Sequence, residues 1–152
     1  MSVGICRRAL LLATTLGVAP FALATAAASS DSSPFAEHHL ALQLSDGDPH
    51  KQALVLSVAN NMLKVYGPDA IAIEVIAFGP GIDLLRADSP NKISVDSLIA
   101  QGVTFDVCMN TVDTITRETG KQPALNDLAI QVQAGVARIL TLSEKGYTLV
   151  RP

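Results

Sequence analysis

Two kinds of hydrophobic pattern alternate along this chain from about residue 39 onward. Short apolar or alternating runs are typical of strands, whereas apolar residues three or four positions apart are typical of helices. The strand patterns cover residues 39–44, 71–78, 103–107, 129–133 and 147–150. The run at 71–78 is interrupted only by Glu74, which is the pattern of a strand covered on both faces.

The segments between these strands carry helix signals. Asp48 is placed to cap a helix with Pro49 at its first position. In that helix, apolar residues recur at helical spacing until Gly67 ends it: Leu54, Val58, Met62 and Val65. Further helices are predicted between a Ser94 cap and Gly102, from a cap at Asn110 or Thr111 to about Glu118, and over residues 135–145. The alternation predicts an α/β fold, a three-layer sandwich with a mainly parallel sheet of about five strands.

The first residues have the composition of a secretory signal. Two adjacent arginines precede an apolar run over residues 9–23, and alanines follow in Ala-x-Ala spacing. We therefore predict a signal peptide over residues 1–28, a flexible lead-in over 29–37 and a single domain over 38–152. The protein is expected to be exported to the periplasm, by the general secretory or the twin-arginine route. No membrane association is expected after cleavage.

Composition limits the class of partner. The 152 residues are 49% hydrophobic and 16% charged, with a formal net charge of −3. A mildly acidic chain does not favour binding to phosphate backbones. Aromatic residues are only 4% of the chain and tryptophan is absent, so a stacking surface for bases is not expected either. We predict no nucleic-acid partner.

Cysteine usage singles out one thiol. The chain has two cysteines, and Cys6 would leave with the signal peptide. Cys108 would then have no intramolecular partner in an oxidising compartment. Such a thiol is buried and inert, paired with another chain, or used for chemistry.

Cys108 lies between a predicted strand and a predicted helix start. Unpaired N–H groups at a helix start favour an anion, and this setting lowers a thiol pKa from its usual value near 8.5. Asn110 and Thr111 are predicted to supply these N–H groups. Gly79, Pro80 and Gly81 follow another strand and are predicted to form the opposite wall of the site. Whether these loops meet depends on the order of the strands.

Other polar residues give weaker signals. The histidines are expected to be solvated: His38, His39 and His50. Asp46 and Asp48 with His50 match no specific metal-site spacing, so we predict neither a metal nor a cofactor. Glu74 is either at an oligomer contact or a paired buried carboxylate.

Four segments, taken in order, resemble the DsrE/DsrF-like family. They are QLSDGDP at 43–49, IEVIAFGPG at 73–81, GV at 102–103 leading to CMNT at 108–111, and GYTLVRP at 146–152. The resemblance runs from about His39 to Pro152. It implies an α/β sandwich, assembly into a homotrimer or homohexamer, and a cysteine that carries sulfur as a persulfide between donor and acceptor proteins. The family's cysteine falls on Cys108.

The chain differs from similar family members at two positions. Phe78 stands where histidine is frequent, and Met109 stands where an acidic residue is frequent. Both differences are expected to make the surroundings of Cys108 more apolar, which raises a thiol pKa.

The function expected from these features is that of a periplasmic sulfur carrier or sulfurtransferase-like protein with Cys108 as the catalytic residue. Two alternatives remain at this stage. One is a non-catalytic oligomeric binding protein whose crevice holds a small ligand or a partner segment. The other is a redox-sensing protein that forms an intermolecular disulfide through Cys108.

Overall fold

The structure is a computed structural model that describes residues 35–152. The predicted signal peptide over 1–28 and most of the predicted lead-in over 29–37 lie outside the described residues. Within residues 35–152, no helix has both the length and the apolar character needed to cross a membrane.

Five parallel strands form a single sheet in the order β4, β3, β2, β1, β5. The strands are β1 (His38–Leu44), β2 (Ile71–Ala77), β3 (Thr104–Cys108), β4 (Ile130–Val132) and β5 (Thr148–Val150). Each strand coincides with a predicted strand to within a few residues. The α/β class and the predicted strand number are therefore confirmed.

Four helices connect these strands: α1 (Pro49–Tyr66), α2 (Lys92–Ile99), α3 (Met109–Thr119) and α4 (Gly135–Glu144). The Asp48 cap is confirmed, because its Oδ1 accepts the His50 N–H at 2.9 Å. The Ser94 cap is wrong, since α2 already begins at Lys92 and Ser94 lies in its first turn. The preceding turn is instead organised by Ser89, whose hydroxyl accepts the Asn91 N–H at 3.3 Å.

Gly102 ends the α2 segment as predicted. Its φ of +92° is in the left-handed region, which glycine adopts at little cost. The Gly102 N–H donates to Ile99 O, and the Val103 N–H donates to Leu98 O. These two bonds form a Schellman motif, which satisfies carbonyl groups at the helix end.

The path of the chain explains the three layers. From β1 to β4 each new strand is added on the same side, and right-handed crossovers then place the intervening helices on one face of the sheet. The step from β4 to β5 returns across the sheet to the far side of β1. The reversal of direction places α4 on the opposite face.

Each face of the sheet has its own core. The larger core joins the strands to α1, α2 and α3, and includes Leu42, Val55, Val75, Phe105 and Val112. The smaller core lies under α4 and consists of Ala41, Ala72, Ile76, Ile139, Leu142 and Tyr147.

The apolar row predicted for α1 is confirmed only in part, because Val58 and Met62 are partly buried against the larger core and the other two residues are not. Leu54 and Val65 are 46% and 70% exposed. The buried residues are Gln52, Val55, Leu56, Ala59 and Leu63. The helix carries two overlapping apolar rows, and the row that begins at Val55 faces the sheet.

Candidate functional site

The loops that follow β1, β2 and β3 meet at the carboxyl edge of the sheet. β1, β2 and β3 are neighbours, and Leu44, Ala77 and Val107 lie level with one another across them. The loops that follow therefore leave the sheet at the same height. The Phe78 N–H donates to Leu44 O at 3.1 Å and ties the first two loops together.

The Gly79, Pro80 and Gly81 segment begins a 3₁₀ helix (Gly79–Leu85) rather than forming a simple turn. Gly79, with φ of +53°, donates its N–H to the Thr111 hydroxyl oxygen at 2.9 Å. Gly81 packs against β1, because a Cβ at this position would lie 2.3 Å from Leu44 O. Gly81 is thus packed closely on the backbone of β1. Pro80 packs beside Gly47, where an added Cβ would lie 3.2 Å from the Pro80 Cβ.

Cys108 occupies the cap position of α3. The predicted caps, Asn110 and Thr111, are wrong because the helix begins one or two residues earlier, at Met109. An N-cap side chain faces the N–H groups of the second and third helical residues, which here are Asn110 and Thr111. Cys108 is 6% exposed and is a free thiol. Cys108 thus holds the cap position, and its side chain makes no cap hydrogen bond.

The pKa of Cys108 is lowered from its ordinary value of 9.0, as the balance of opposing effects. Burial has the largest single effect and raises the pKa, as expected for an apolar neighbourhood. The N–H groups of Gly135, Thr111 and Asn110 and the Thr111 hydroxyl favour the thiolate and together outweigh burial. The expected lowering of the pKa by N–H groups at the helix start is therefore confirmed, and the expected opposing effect of apolar surroundings is present but smaller than that of the donors together.

The direction of the hydrogen bond at the Thr111 hydroxyl is defined by Gly79. Thr111 Oγ1 accepts the Gly79 N–H, which leaves the hydroxyl hydrogen available to the Cys108 sulfur. A hydrogen bond to an ionised acceptor is stronger than one between neutral groups. Thr111 therefore links the β2 loop to the thiolate.

Gly135 is the donor that the sequence analysis missed. It is the first residue of α4 and belongs to a fourth loop, which follows β4. A Cβ at Gly135 would lie 3.1 Å from Phe78 Cδ1 and 3.4 Å from the Cys108 Cβ. The missing side chain of Gly135 therefore favours this close approach of the backbone to the thiol. The N-termini of α3 and α4 thus converge on one sulfur atom.

Asn110 and Gln133 join the two helix starts beside the thiol. The Asn110 N–H donates to Gln133 O at 3.1 Å, and Gln133 Nε2 donates to Asn110 Oδ1 at 2.8 Å. Cys108 Sγ lies 4.0 Å from the same Gln133 O. Because the Asn110 N–H is already bonded to Gln133, it is the weakest of the donors that act on the thiolate.

Phe78 and Met109 are on opposite faces of the sheet. Phe78 packs against the smaller core, beside Gly135 and Cys108, whereas Met109 packs against the larger core. Phe78 lies beside Cys108 as predicted, and Met109, the next residue in the chain, packs on the other face. They do not form one apolar crevice.

Glu74 is a paired buried carboxylate. It and Asp106 both bind Arg138 of α4 through Nε, with Asp106 Oδ2 at 3.0 Å. Burial, then the hydrogen bond and charge of Glu74, raise the pKa of Asp106 to about 8, although Arg138 acts in the opposite direction. The buried Asp106 Oδ1 has no hydrogen-bond partner among the described residues, which further disfavours the ionised form.

The histidines lie away from Cys108. His38 and His39 begin β1 at the amino edge of the sheet, where they contact the rings of Tyr66 and Tyr147. His50 is exposed on the first turn of α1. Residues 35–152 contain no group of three or more side chains able to hold a metal ion. The groups that lower the Cys108 pKa are the N–H and O–H donors described above.

Fold and site together define a three-layer α/β protein with an acidic thiol at the carboxyl edge of an all-parallel sheet. The solved structure of a protein of unknown function, MTH1491 from Methanobacterium thermoautotrophicum, is similar to this chain. It shares 27% sequence identity and has a TM-score of 0.68, over 76% of this chain and 100% of the other. No protein-family profile matches the chain, and neither does any curated protein.

Proposed function

We propose that this chain is a sulfur carrier of the periplasm that holds sulfane sulfur as a persulfide on Cys108. The observation that carries the proposal is the convergence of two helix N-termini on a thiol whose pKa is lowered. The thiolate is the nucleophilic form of cysteine. These donors increase its population at neutral pH without a general base.

The proposed reaction is the transfer of one sulfur atom. The Cys108 thiolate attacks the outer sulfur of a donor persulfide or polysulfide, so the new S–S bond forms as the donor's S–S bond breaks. The electron pair of the broken bond leaves with the donor thiolate. Attack by an acceptor thiolate on the outer sulfur reverses these events and returns Cys108 to its starting form.

The burial of Cys108 favours this transfer over the formation of a disulfide between two chains. A disulfide requires the two Cα atoms to lie within about 7 Å of each other. Cys108 is at the end of an inner strand and is 6% exposed, so a second folded chain has little room to approach its backbone. A persulfide places the transferable sulfur one bond farther from the backbone.

We also propose that the carrier is a homo-oligomer, a trimer or hexamer, that assembles through α4. The support is an apolar outer face on this helix. Val136 and Leu140 are one turn apart and are 65% and 61% exposed. Two large apolar side chains on an otherwise solvated helix face are typical of a protein contact.

The decisive experiment is mass spectrometry of the purified chain after incubation with a polysulfide. Replacement of Cys6 by serine (C6S) leaves Cys108 as the sole thiol, and C6S/C108S is the matched control. The expected result is a gain of one sulfur atom that dithiothreitol removes, in C6S alone. A folded C6S protein that gains no sulfur would refute the proposal and favour a binding protein without thiol chemistry.

A further inference from the structure

The layer between the sheet and α4 contains a charged cluster that the sulfur-transfer step does not use. Glu74 of β2, Asp106 of β3 and Arg138 of α4 form it, and the side chains of the two acids are 4% and 0% exposed. The neighbouring side chains in this layer are apolar, among them Ala72, Ile76 and Ile139. Buried ion pairs are weak evidence for stability, because the desolvation of charges opposes their attraction. The location of the cluster indicates another role.

Arg138 connects the two elements that form the thiol site. It lies in the first turn of α4, where its N–H donates to Ala134 O at 3.0 Å, and Gly135 is three residues before it. Asp106 is two residues before Cys108 on the same strand. Since alternate residues of a strand point to the same face, both side chains face α4. Arg138 thus joins α4, which supplies the Gly135 N–H, to β3, which carries the thiol.

We propose that Arg138 is a positioning residue for Cys108, and that the protonation of Asp106 regulates the acidity of this thiol. By binding Glu74 and Asp106, Arg138 keeps the N-terminus of α4 over the end of β3, with the Gly135 N–H directed at Sγ. This inference rests on the proposed function only in that the thiolate is taken to carry sulfur; the positioning of Cys108 by Arg138 does not depend on sulfur transfer.

The charge of the cluster changes in the pH range in which Cys108 also ionises. Below the Asp106 pKa of about 8, this residue is neutral, and Arg138 is paired with Glu74. Above this pH, Asp106 carries a negative charge. It is two residues from Cys108 along the strand, which at about 3.3 Å per residue is a separation of about 7 Å. A nearby like charge opposes ionisation. Asp106 and Cys108 therefore titrate as a coupled pair, over a wider pH range than a single group.

The other groups that face these two residues are uncharged. Glu74 from β2 and Arg138 from α4 are the charged groups that act on Asp106, and Ile130 lies opposite it on β4. The groups that act on Cys108 are the backbone and hydroxyl donors of Asn110, Thr111 and Gly135. Glu74 and Arg138 are thus the charged neighbours of Asp106, and the donors around Cys108 carry no charge.

The test is the rate of Cys108 alkylation by iodoacetamide as a function of pH, followed in the C6S chain by peptide mass spectrometry. Arg138→Gln is expected to raise the apparent thiol pKa by about one unit, which is a tenfold lower rate at neutral pH. Arg138→Lys, which keeps the charge, is expected to lose less than threefold. A folded Arg138→Gln protein with the alkylation profile of the parent would overturn the positioning role.

A second variant tests the regulation even if Arg138→Gln does not fold. Asp106→Asn copies the neutral state of Asp106, so it is expected to fold at pH 7 and to react within twofold of the parent rate. The alkylation rate of Asp106→Asn should rise with pH as steeply as for a single ionising group, whereas the rate of the parent should rise over a wider pH range. Identical profiles would overturn the coupling. Because alkylation uses no sulfur donor, these results are independent of whether polysulfide loads Cys108.

Discussion

Replacement of Thr111 by valine tests the origin of the Cys108 acidity. Valine keeps the shape of threonine but removes the hydroxyl that accepts the Gly79 N–H and that lowers the pKa of the Cys108 thiol. Hydrogen bonds to charged groups contribute about 1.5–3 kcal/mol. One pKa unit corresponds to 1.36 kcal/mol, so full loss of this bond would raise the thiol pKa by about one to two units. The N–H groups of Gly135 and Asn110 remain, so we expect a rise of about one unit.

The same substitution should also destabilise the fold. The Gly79 N–H is part-buried and loses its acceptor, and an unsatisfied buried donor costs about 1–3 kcal/mol. Urea unfolding measures this loss, and the pH dependence of iodoacetamide alkylation at Cys108 measures the pKa.

Thr111→Ser is the matched control, because it keeps the hydroxyl and loses only a methyl group. We expect it to retain the thiol pKa of the parent within a few tenths of a unit. If Thr111→Val folds and its thiol titrates at the parent pH, the hydroxyl does not stabilise the thiolate and the reasoning is wrong. If serine and valine raise the pKa equally, the methyl group rather than the hydroxyl is responsible.

Three further predictions follow from the site and its surroundings. Gly135→Ala should destabilise the protein by about 1–3 kcal/mol in urea unfolding, because its Cβ would press on the Phe78 ring. Adding Phe78→Leu to this variant should restore part of the lost stability. Equal stability of the parent and Gly135→Ala would count against this close packing. Because the folded-state pKa of Asp106, about 8, exceeds its ordinary 3.8, the folded state binds an extra proton between these values. The free energy of unfolding should therefore fall as pH rises from 4 to 8, by at most about 1.4 kcal/mol per unit, and the fall should be smaller in Asp106→Asn; parallel curves for the two proteins would contradict it. Leu140→Lys should reduce the proposed oligomer to monomers in light scattering without changing the circular dichroism spectrum. The control Leu149→Lys, on β5, should leave the size of the oligomer unchanged. An intact Leu140→Lys oligomer would place the contact elsewhere.

Much of the fold could be predicted because the three inner strands are mostly buried and bounded by clear turn signals. A strand such as 71–77 has an apolar run that no surface element would tolerate, and Gly102 and Asp48 mark element ends by local chemistry. The buried row of α1 was harder to predict. Its apolar residues cover more than one face, and only tertiary packing selects the row that contacts the sheet.

The candidate site could be predicted only in part. Cys108 and Thr111 are adjacent in the sequence to a strand end, so their proximity is a local property. Gly135 and Arg138 reach the thiol because β4 pairs with β3 and α4 returns over the other face. Strand order is a property of the whole chain, and a glycine at a predicted helix start gave no indication of its neighbour. Asp106 appeared as an ordinary polar position in an alternating strand.

The reversal of the chain between β4 and β5 has a consequence for hydrogen exchange. Among residues 35–152, α4 alone covers its face of the sheet, over a core far smaller than the one beneath the other helices. Segments with few buried apolar contacts open at lower free energy than the rest of a protein. The amides of α4 should therefore exchange before those of β2 and α1. Each opening withdraws the Gly135 N–H and uncovers Cys108, so access to this thiol is set by a local equilibrium rather than by global unfolding.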